Sequence, residues 1–529
     1  VYMSSTINNH YDVIIVGAGP CGVTAANILG QQNISTLVID READIVTIPR
    51  AVGICEEGSR ILDSAGLLDK MGDNFRLINR VNFNKEHDKQ VFHADTYEPI
   101  NGHRMLRTFH QPELEKNIRG ALKDCDSVQL CTSTELVSFK DLGDKVTLEL
   151  KQERQAVSTE CRYLLACDGA SSKIRQALNI GFSGNTYPQD WMILDIEKNP
   201  IPSSEVIFSI NPERPAVTLP GPGDKRRWEF VVKKNDDPNA LFEERNLSKL
   251  LAPWGDIKDM DITRKAVYTF HARTAENYQK GNVFLLGDSA HITPPFAGQG
   301  MMAGLRDCYN LCWKLTAVLQ GKLHEKVLAS YEKERIPQSR QVIKFAQHMG
   351  KIILPQNKKV AKIRDAVIGL LGLLGVHSDS KGMPIDKIPN HINGSLIKNR
   401  IVSALLKTGV DFPQVTLKNS QGDNKLFDRH VTSNFYILGW NQQPDALLDS
   451  GTLKRWQAMG GDSLSINDIT AKGNNLLDSK CEYKDLFKDG QRFIVIRPDK
   501  MMVINCSESQ LNKKLNRYMN EVGCIQAVA

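Results

Sequence analysis

The sequence predicts an α/β protein of two or three domains, the first of them built on a buried parallel sheet. Three observations lead there. The chain has 529 residues, more than one core usually serves, since domains run to roughly 100–200 residues. Its composition, 41% hydrophobic and 24% charged, excludes fibrous, collagen-like and disordered classes. Short apolar runs ending in glycine or an acid, such as Asp12-Val-Ile-Ile-Val-Gly17 and Ser35-Thr-Leu-Val-Ile-Asp40, have the pattern of strands covered on both faces.

The first element is the strand ending at Gly17. Gly17-Ala18-Gly19-Pro20-Cys21-Gly22 follows without a gap, and Val23 to Leu29 reads as a helix. The second strand ends at Asp40, 18 residues after Gly22 (40 − 22 = 18), with Arg41 next to it. Gly17 permits a tight turn, Gly19 lets a pyrophosphate approach the backbone, and Gly22 lets helix and strand pack closely. The helix N-terminus supplies N–H donors, and Asp40 can accept hydrogen bonds from a ribose. Strand, loop, helix, strand and acid occur in register, which predicts a Rossmann-like dinucleotide site. The fingerprint alone does not separate NAD from FAD.

Later segments bear on that choice. Gly281-Asn-Val-Phe-Leu-Leu-Gly287-Asp288 runs into Ser-Ala-His-Ile-Thr-Pro294-Pro295-Phe-Ala-Gly298-Gln-Gly300-Met301 and a long helix through Leu315. Asp288 stands where a carboxylate can hold a ligand hydroxyl, and Gly298 and Gly300 let bare backbone lie against a flat ring. A third strand, from Arg162, ends in Asp168-Gly169. Over roughly residues 10–350 this set resembles the single-component flavoprotein aromatic hydroxylases typified by p-hydroxybenzoate hydroxylase. The resemblance implies bound FAD, with Asp288 on the ribityl chain and Asp168 serving FAD and NAD(P)H together. It also implies that Gln111, in Leu106-Arg-Thr-Phe-His-Gln111-Pro-Glu-Leu-Glu115, touches the flavin. Arg50, in Pro49-Arg50-Ala-Val-Gly53, sits on a loop beside a mobile flavin in that family. The likeness is closest to the subgroup acting on 3-(3-hydroxyphenyl)propionate, through Phe270-His-Ala-Arg-Thr-Ala275, Ile292 to Met301, and Gly304 to Leu315.

A second GxGxxG is absent, since Gly298-x-Gly300-x-x-x-Gly304 has the wrong spacing, and Cys55 is the lone thiol soon after Asp40. Both facts disfavour a flavin disulfide reductase or a plain oxidase. NADH or NADPH is expected to visit transiently, without a domain of its own. The resemblance implies that it reduces FAD, that O2 adds to give a flavin hydroperoxide, and that a phenolic acid is hydroxylated ortho to its hydroxyl. The same chemistry on a bulkier polyketide-like or heteroaromatic substrate is the alternative.

An ionised phenol is the better nucleophile, so the site benefits from a proton acceptor, and His suits that role. His271 is the candidate, on a probable strand from Val267 to Arg273 that leads into the Gly-Asp segment. Tyr268 is a candidate relay partner, although strict alternation puts the two on opposite faces. His291 reads as a loop-packing residue. Pro294 and Pro295 rigidify their loop, and in the family a carbonyl here lies near the substrate hydroxyl, which makes Pro295 a candidate at both substrate and flavin.

Residues 10–180 are expected to form the first part of the FAD domain, including a small substrate-covering segment at about 76–105. Residues 181–275 read as an inserted antiparallel substrate sheet, from alternating stretches such as Ala216-Val-Thr-Leu and Trp228-Glu-Phe-Val-Val-Lys. In it Arg226 and Arg227 can meet a substrate carboxylate, although exposed arginines at a strand edge are commoner. The FAD domain resumes over 276–350, and 351–400 reads as a basic helical linker. Residues 401–529 resemble the thioredoxin-like tail of the larger members of the family, without a Cys-x-x-Cys, and a stabilising or homodimer-contacting role is expected.

Net charge is +6, and the segment 351–400, with nine Lys or Arg against three Asp (9 − 3 = 6), supplies the excess. The rest is balanced, which argues against a nucleic-acid footprint. The apolar run around Val367 to Val376, eleven residues with Ala366, is far short of the about 20 that a membrane span needs. Residues 1–10 are polar and read as no secretory signal, so a cytoplasmic protein is expected. The eleven cysteines include no Cys-x-x-Cys, and no metal site is expected.

Overall fold

The computed structural model describes residues 6–86, 89–199, 203–355, 357–373, 408–468, 475–488 and 490–525. Its first sheet carries five parallel strands in the order Val128–Cys131, Thr36–Ile39, His10–Val16, Gln155–Ala166, Val283–Leu285. Val13 to Ile15, Leu37 to Ile39, Leu164 to Ala166 and Val283 to Leu285 are all fully buried, as continuous apolar runs in a parallel sheet require. Strand Val146–Gln152 extends the sheet by pairing antiparallel with the first half of Gln155–Ala166, and Thr134–Asp141 pairs antiparallel with Val146–Gln152 in turn. Helices Pro20–Gly30 and Gly300–Leu319 pack together on this sheet, Cys21 against the Gly304 carbonyl and Cys312 against that of Ala25.

A second sheet of eight strands covers the C-terminal ends of the first. Its order is His291–Ile292, Asp261–Ala275, Phe182–Lys198, Arg226–Val231, Ala216–Pro220, Glu205–Ser209, Arg80–Glu86, Lys89–Asp95. Two of these strands therefore come from the segment before residue 100. Alternation sorts its side chains. Met192, Leu194, Trp228 and Phe230 pack under helix Glu244–Leu251 through Leu247 and Leu251. Val81, Trp191, Val206 and Val217 form the opposite face, with Phe296 packed on it.

The third unit is a sheet in the order Asn424–Leu426, Thr416–Lys418, Leu476–Leu477, Gly461–Asn467, Phe435–Trp440, Phe493–Ile496, Met502–Cys506, flanked by helices Ser450–Ala458 and Leu511–Val522. The pairing of Phe435–Trp440, parallel on one edge and antiparallel on the other, is the thioredoxin-like arrangement. This unit shares a core with the first. Trp313 meets Phe435 edge-on at 5.4 Å, and Arg497 and Lys314 converge on Glu334 at 2.8 Å, all fully buried. Arg60 donates to both carboxylate oxygens of Asp428 and to the Phe412 carbonyl. Helix Lys358–Leu373 follows the long helix Ala329–Ile353; the remainder of the expected linker, 374–400, lies outside the described residues. No helix among the described residues is long and apolar enough to cross a membrane, and all the cysteines are free thiols.

Candidate active site

A cavity of about 1180 Å³ opens where the three units meet. All the expected cofactor residues line it except Ala18 and Gly22. The three loop glycines do different work. Gly17 has φ +106°, and a Cβ there would stand 2.3 Å from the Cys167 carbonyl oxygen. A Cβ on Gly22 would stand 2.0 Å from the Gly17 carbonyl oxygen, so Gly22 lies beneath the turn rather than at the cavity. Gly19 has an ordinary extended conformation, and no atom lies within 4 Å of where its Cβ would be. Gly19 caps helix Pro20–Gly30, whose Pro20 fits the first helical position. The uncapped N–H groups of that turn are anion donors. Ala18 turns its N–H to Asp40 Oδ2 at 2.7 Å, while Asp40 Oδ1 accepts from Glu42 N–H at 2.9 Å. Asp40 thus fastens the loop it faces.

Two further carboxyls enter from strand ends. Asp168 accepts from Ile174 N–H at 3.3 Å through Oδ2, but its Oδ1 is buried with no protein partner among the described residues. Burial pushes its pKa up, as it does that of Asp288, where His291 and Arg50 pull the other way. Beyond Asp288, Pro295–Ala297 forms a single turn closed by Gly298 in the left-handed region, φ +62°, before Gly300 starts the next helix. Gln299, also on the cavity wall, is fixed by Arg306, which donates to its Oε1 at 2.9 Å and to Glu57 at 2.7 Å.

The loop carrying Arg50 is held from two sides. Gln111 Oε1 accepts from the N–H groups of Arg50 and Ala51, each at 2.7 Å. Arg227 donates to the carbonyls of Pro49 at 2.7 Å and Arg50 at 3.1 Å, and Arg264 donates to Pro49 at 3.0 Å. Both arginines share Asp195, Arg227 at 2.6 Å and Arg264 at 2.9 Å.

This geometry corrects several expectations. Arg226 and Arg227 are neither strand-edge surface residues nor free for a substrate carboxylate. They are 3% and 4% exposed, Arg226 donating to Thr218 and Arg227 spent on Asp195 and the loop. His271 bonds Thr186 at 2.9 Å on the face opposite Phe270 and does not line the cavity. Phe270 instead packs toward Trp191 and Phe296. Tyr268 accepts from Arg264 and is also outside the cavity wall. Pro295 does line it. His291 packs the loop, its Nε2 2.7 Å from the buried Asp307. Glu57, Glu229 and Asp411 line the cavity unforeseen. Their approach depends on how strand faces and the third unit are assembled, and no local pattern marks them.

A glycine facing open space, a helix N-terminus, an unused buried acceptor and bare left-handed backbone suit a ligand with a pyrophosphate, hydroxyls and a flat ring. The residues present fit FAD. The fold and the site together define a flavin-binding protein with a covered substrate chamber. Comparison agrees: the model of an FAD binding domain matches residues 10–346, and that of the HcaD C-terminal domain matches 409–521. A 3-(3-hydroxy-phenyl)propionate/3-hydroxycinnamic acid hydroxylase of Escherichia coli is 30% identical over 526 residues, 97% of this chain and 94% of that one. One of Klebsiella pneumoniae is 34% identical over 455 residues, 85% of this chain and 81% of that one. The crystal structure of the flavin-dependent monooxygenase PieE, in complex with FAD and substrate, superposes with a TM-score of 0.82 at 18% identity, covering 98% of this chain and 100% of that one. The chain belongs to the family of FAD-dependent aromatic-ring hydroxylases, monooxygenases that use NAD(P)H and O2.

Proposed function

We propose that this enzyme hydroxylates a phenolic aromatic acid ortho to its hydroxyl, with 3-(3-hydroxyphenyl)propionate or a close analogue as substrate. The observation that carries the reading is the 30% identity maintained over 97% of the chain to a hydroxylase named for that substrate. The far half of the cavity supports it, being walled by Val206, Phe208, Val217, Leu219 and Phe296, a surface that suits an aromatic ring. When bound, FAD supplies the redox and oxygen chemistry. The chain supplies the rest. The Gly19 turn and the helix N-terminus take the pyrophosphate, Asp40 a ribose and Asp288 the ribityl hydroxyls. The backbone at Gly298 and Gly300 lies against the ring, and the loop bound by Gln111 and Arg227 borders it. Asp168, with its unused acceptor, serves FAD and the visiting NADH or NADPH. The apolar wall keeps water from the reacting centre.

The same reading treats 10–180 and 276–350 as the FAD domain, 181–275 as the substrate domain, 351–400 as a linker and 401–529 as the thioredoxin-like domain. It has the enzyme work in the cytoplasm, with the last domain contributing to a homodimer. Asp288→Ala is expected to weaken flavin binding about 10- to 100-fold, the effect of losing a hydrogen bond to a charged group, about 1.5–3 kcal/mol. Titration of apoprotein with FAD, followed by flavin fluorescence, measures it.

The decisive assay is NADH and NADPH oxidation by the FAD-loaded enzyme across a panel of phenolic acids, with product and peroxide both quantified. A dihydroxy product equal to the NADH consumed with 3-(3-hydroxyphenyl)propionate establishes the assignment. Stimulated oxidation that yields mainly peroxide makes that compound a mimic of another aromatic substrate. No stimulation by any phenol overturns the assignment and turns the search to bulkier polycyclic or heteroaromatic rings.

A further inference from the structure

The sheet face closing the far half of the cavity presents Val81, Val206, Phe208, Val217 and Leu219, and among them one carboxyl, Glu229. It stands directly across the strands from Val217 and Ile193 and is 8% exposed. Its nearest cation, Arg227, is 3.9 Å away, beyond hydrogen-bond reach. Arg227 is in any case committed to Asp195 and to the Pro49 and Arg50 carbonyls. Among the described residues none hydrogen-bonds the Glu229 carboxyl. Hydroxyls on the same walls are already used, Thr108 on the Pro220 carbonyl and Thr96 on that of Ile78. A buried carboxyl in an apolar wall is costly unless something offers it a hydrogen bond, and here the open side is the chamber.

We infer that Glu229 meets the substrate's phenolic hydroxyl and takes its proton, the task the sequence assigns to His271. This rests on the function proposed above. The phenol O–H bond breaks, the proton passes to a Glu229 carboxylate oxygen, and the electron pair stays on the phenolate, where it raises the nucleophilicity of the ortho carbon. When the ring regains aromaticity the carboxyl returns its proton to the product oxygen and begins the next turnover ionised. Burial raises the pKa of this carboxyl, Arg227 and Arg264 oppose the rise, and Asp195 reinforces it. A raised pKa brings a carboxylate closer to the strength useful in a base near neutral pH. Because the ionised form is the working one, activity climbs with pH through that raised value.

The test uses FAD-loaded wild type, Glu229→Gln and Glu229→Asp, assayed for dihydroxy product from 3-(3-hydroxyphenyl)propionate across pH. Binding of 3-phenylpropionate, which has no hydroxyl to ionise, is followed by flavin absorbance. Glu229→Gln is expected to hold FAD and to bind 3-phenylpropionate within about threefold of wild type. Its product formation should fall about 100-fold or more, the usual contribution of a general base, and the acid limb of the pH profile should vanish. Glu229→Asp keeps a carboxyl and should keep that limb at reduced kcat. A Gln variant with wild-type turnover and acid limb overturns the inference. So does equal loss of flavin and turnover in both variants, which makes the residue structural. If wild type itself hydroxylates no phenol, the functional reading falls and this inference falls with it.

Discussion

Gly19→Ala is expected to yield a folded protein that no longer retains flavin. The backbone at Gly19 is in an extended conformation open to any residue, and an added methyl would touch nothing in the protein. The stability of the apoprotein should therefore change by less than about 0.5 kcal/mol, as at an unstrained surface site. The methyl would instead occupy the space a pyrophosphate needs, and a polar ligand group held away from its N–H donors loses about 1–3 kcal/mol per unmade bond. Gly22→Ala is the contrast. Its Cβ would be driven to 2.0 Å from the Gly17 carbonyl oxygen, so the turn itself must open and the apoprotein should melt earlier, as overpacking costs about 1–3 kcal/mol. Melting curves of the two apoproteins, together with the flavin-to-protein absorbance ratio of the purified holoproteins, separate the effects. A Gly19→Ala protein that keeps its flavin would show that the pyrophosphate does not lie on this turn.

Glu334→Leu should produce the largest stability loss outside the cofactor loop, about 3–5 kcal/mol, because it leaves buried cations uncompensated. Glu334 accepts from Lys314 and Asn310 at 2.8 and 2.7 Å and from Arg497 at 2.8 Å. It therefore joins two helices of the FAD domain to the third unit. The partners respond differently to the same burial. Glu334, facing two cations, is held down to about 2 although burial pushes the other way. Lys314, with one carboxylate to share and Arg497 beside it, is pushed down by burial to about 8. The carboxylate is thus the better satisfied member. Its lowered pKa means that its stabilisation is complete above the ordinary 4.5 and drains away as pH falls toward about 2. A lower melting temperature at neutral pH is the expected outcome, read from thermal unfolding of the variant beside wild type. Adding Lys314→Met should restore part of the loss, since Arg497 keeps Asp499 at 2.5 Å. A single Glu334→Leu variant as stable as wild type would mean that the junction does not couple the two units.

The cofactor half of this enzyme is legible because its information is local. Gly17, Gly19, Gly22 and Asp40 act within one strand–turn–helix–strand unit, and Asp168, Asp288, Gly298 and Gly300 sit where a strand ends in a loop, so spacing along the chain stands for spacing in the structure. The parallel sheet is read for a similar reason: strands buried on both faces are continuous apolar runs. Which titratable side chain faces the far half of the chamber is not legible. His271 was the plausible residue by chemical type, but strand alternation turns it away from Phe270 and out of the chamber, and the bulge between Thr186 and Asp190 shifts the register beside it. Arg227 read as a surface residue because nothing adjacent in sequence reveals Asp195 or the Pro49 carbonyl, its partners across the fold.

By itself the sequence determined an α/β flavoprotein with a single dinucleotide fingerprint, and it picked out Gly17, Gly19, Asp40, Asp168, Asp288, Gly298 and Gly300, all of which line the cavity. These are short-range properties of backbone conformation and strand patterning. Tertiary structure alone decided that Glu229 faces the chamber, that Asp411 of the third unit reaches the same cavity, and that Glu334 ties that unit to the first. Such contacts join residues remote in sequence, and their energies come from burial and partner geometry, which exist only once the three units have packed together.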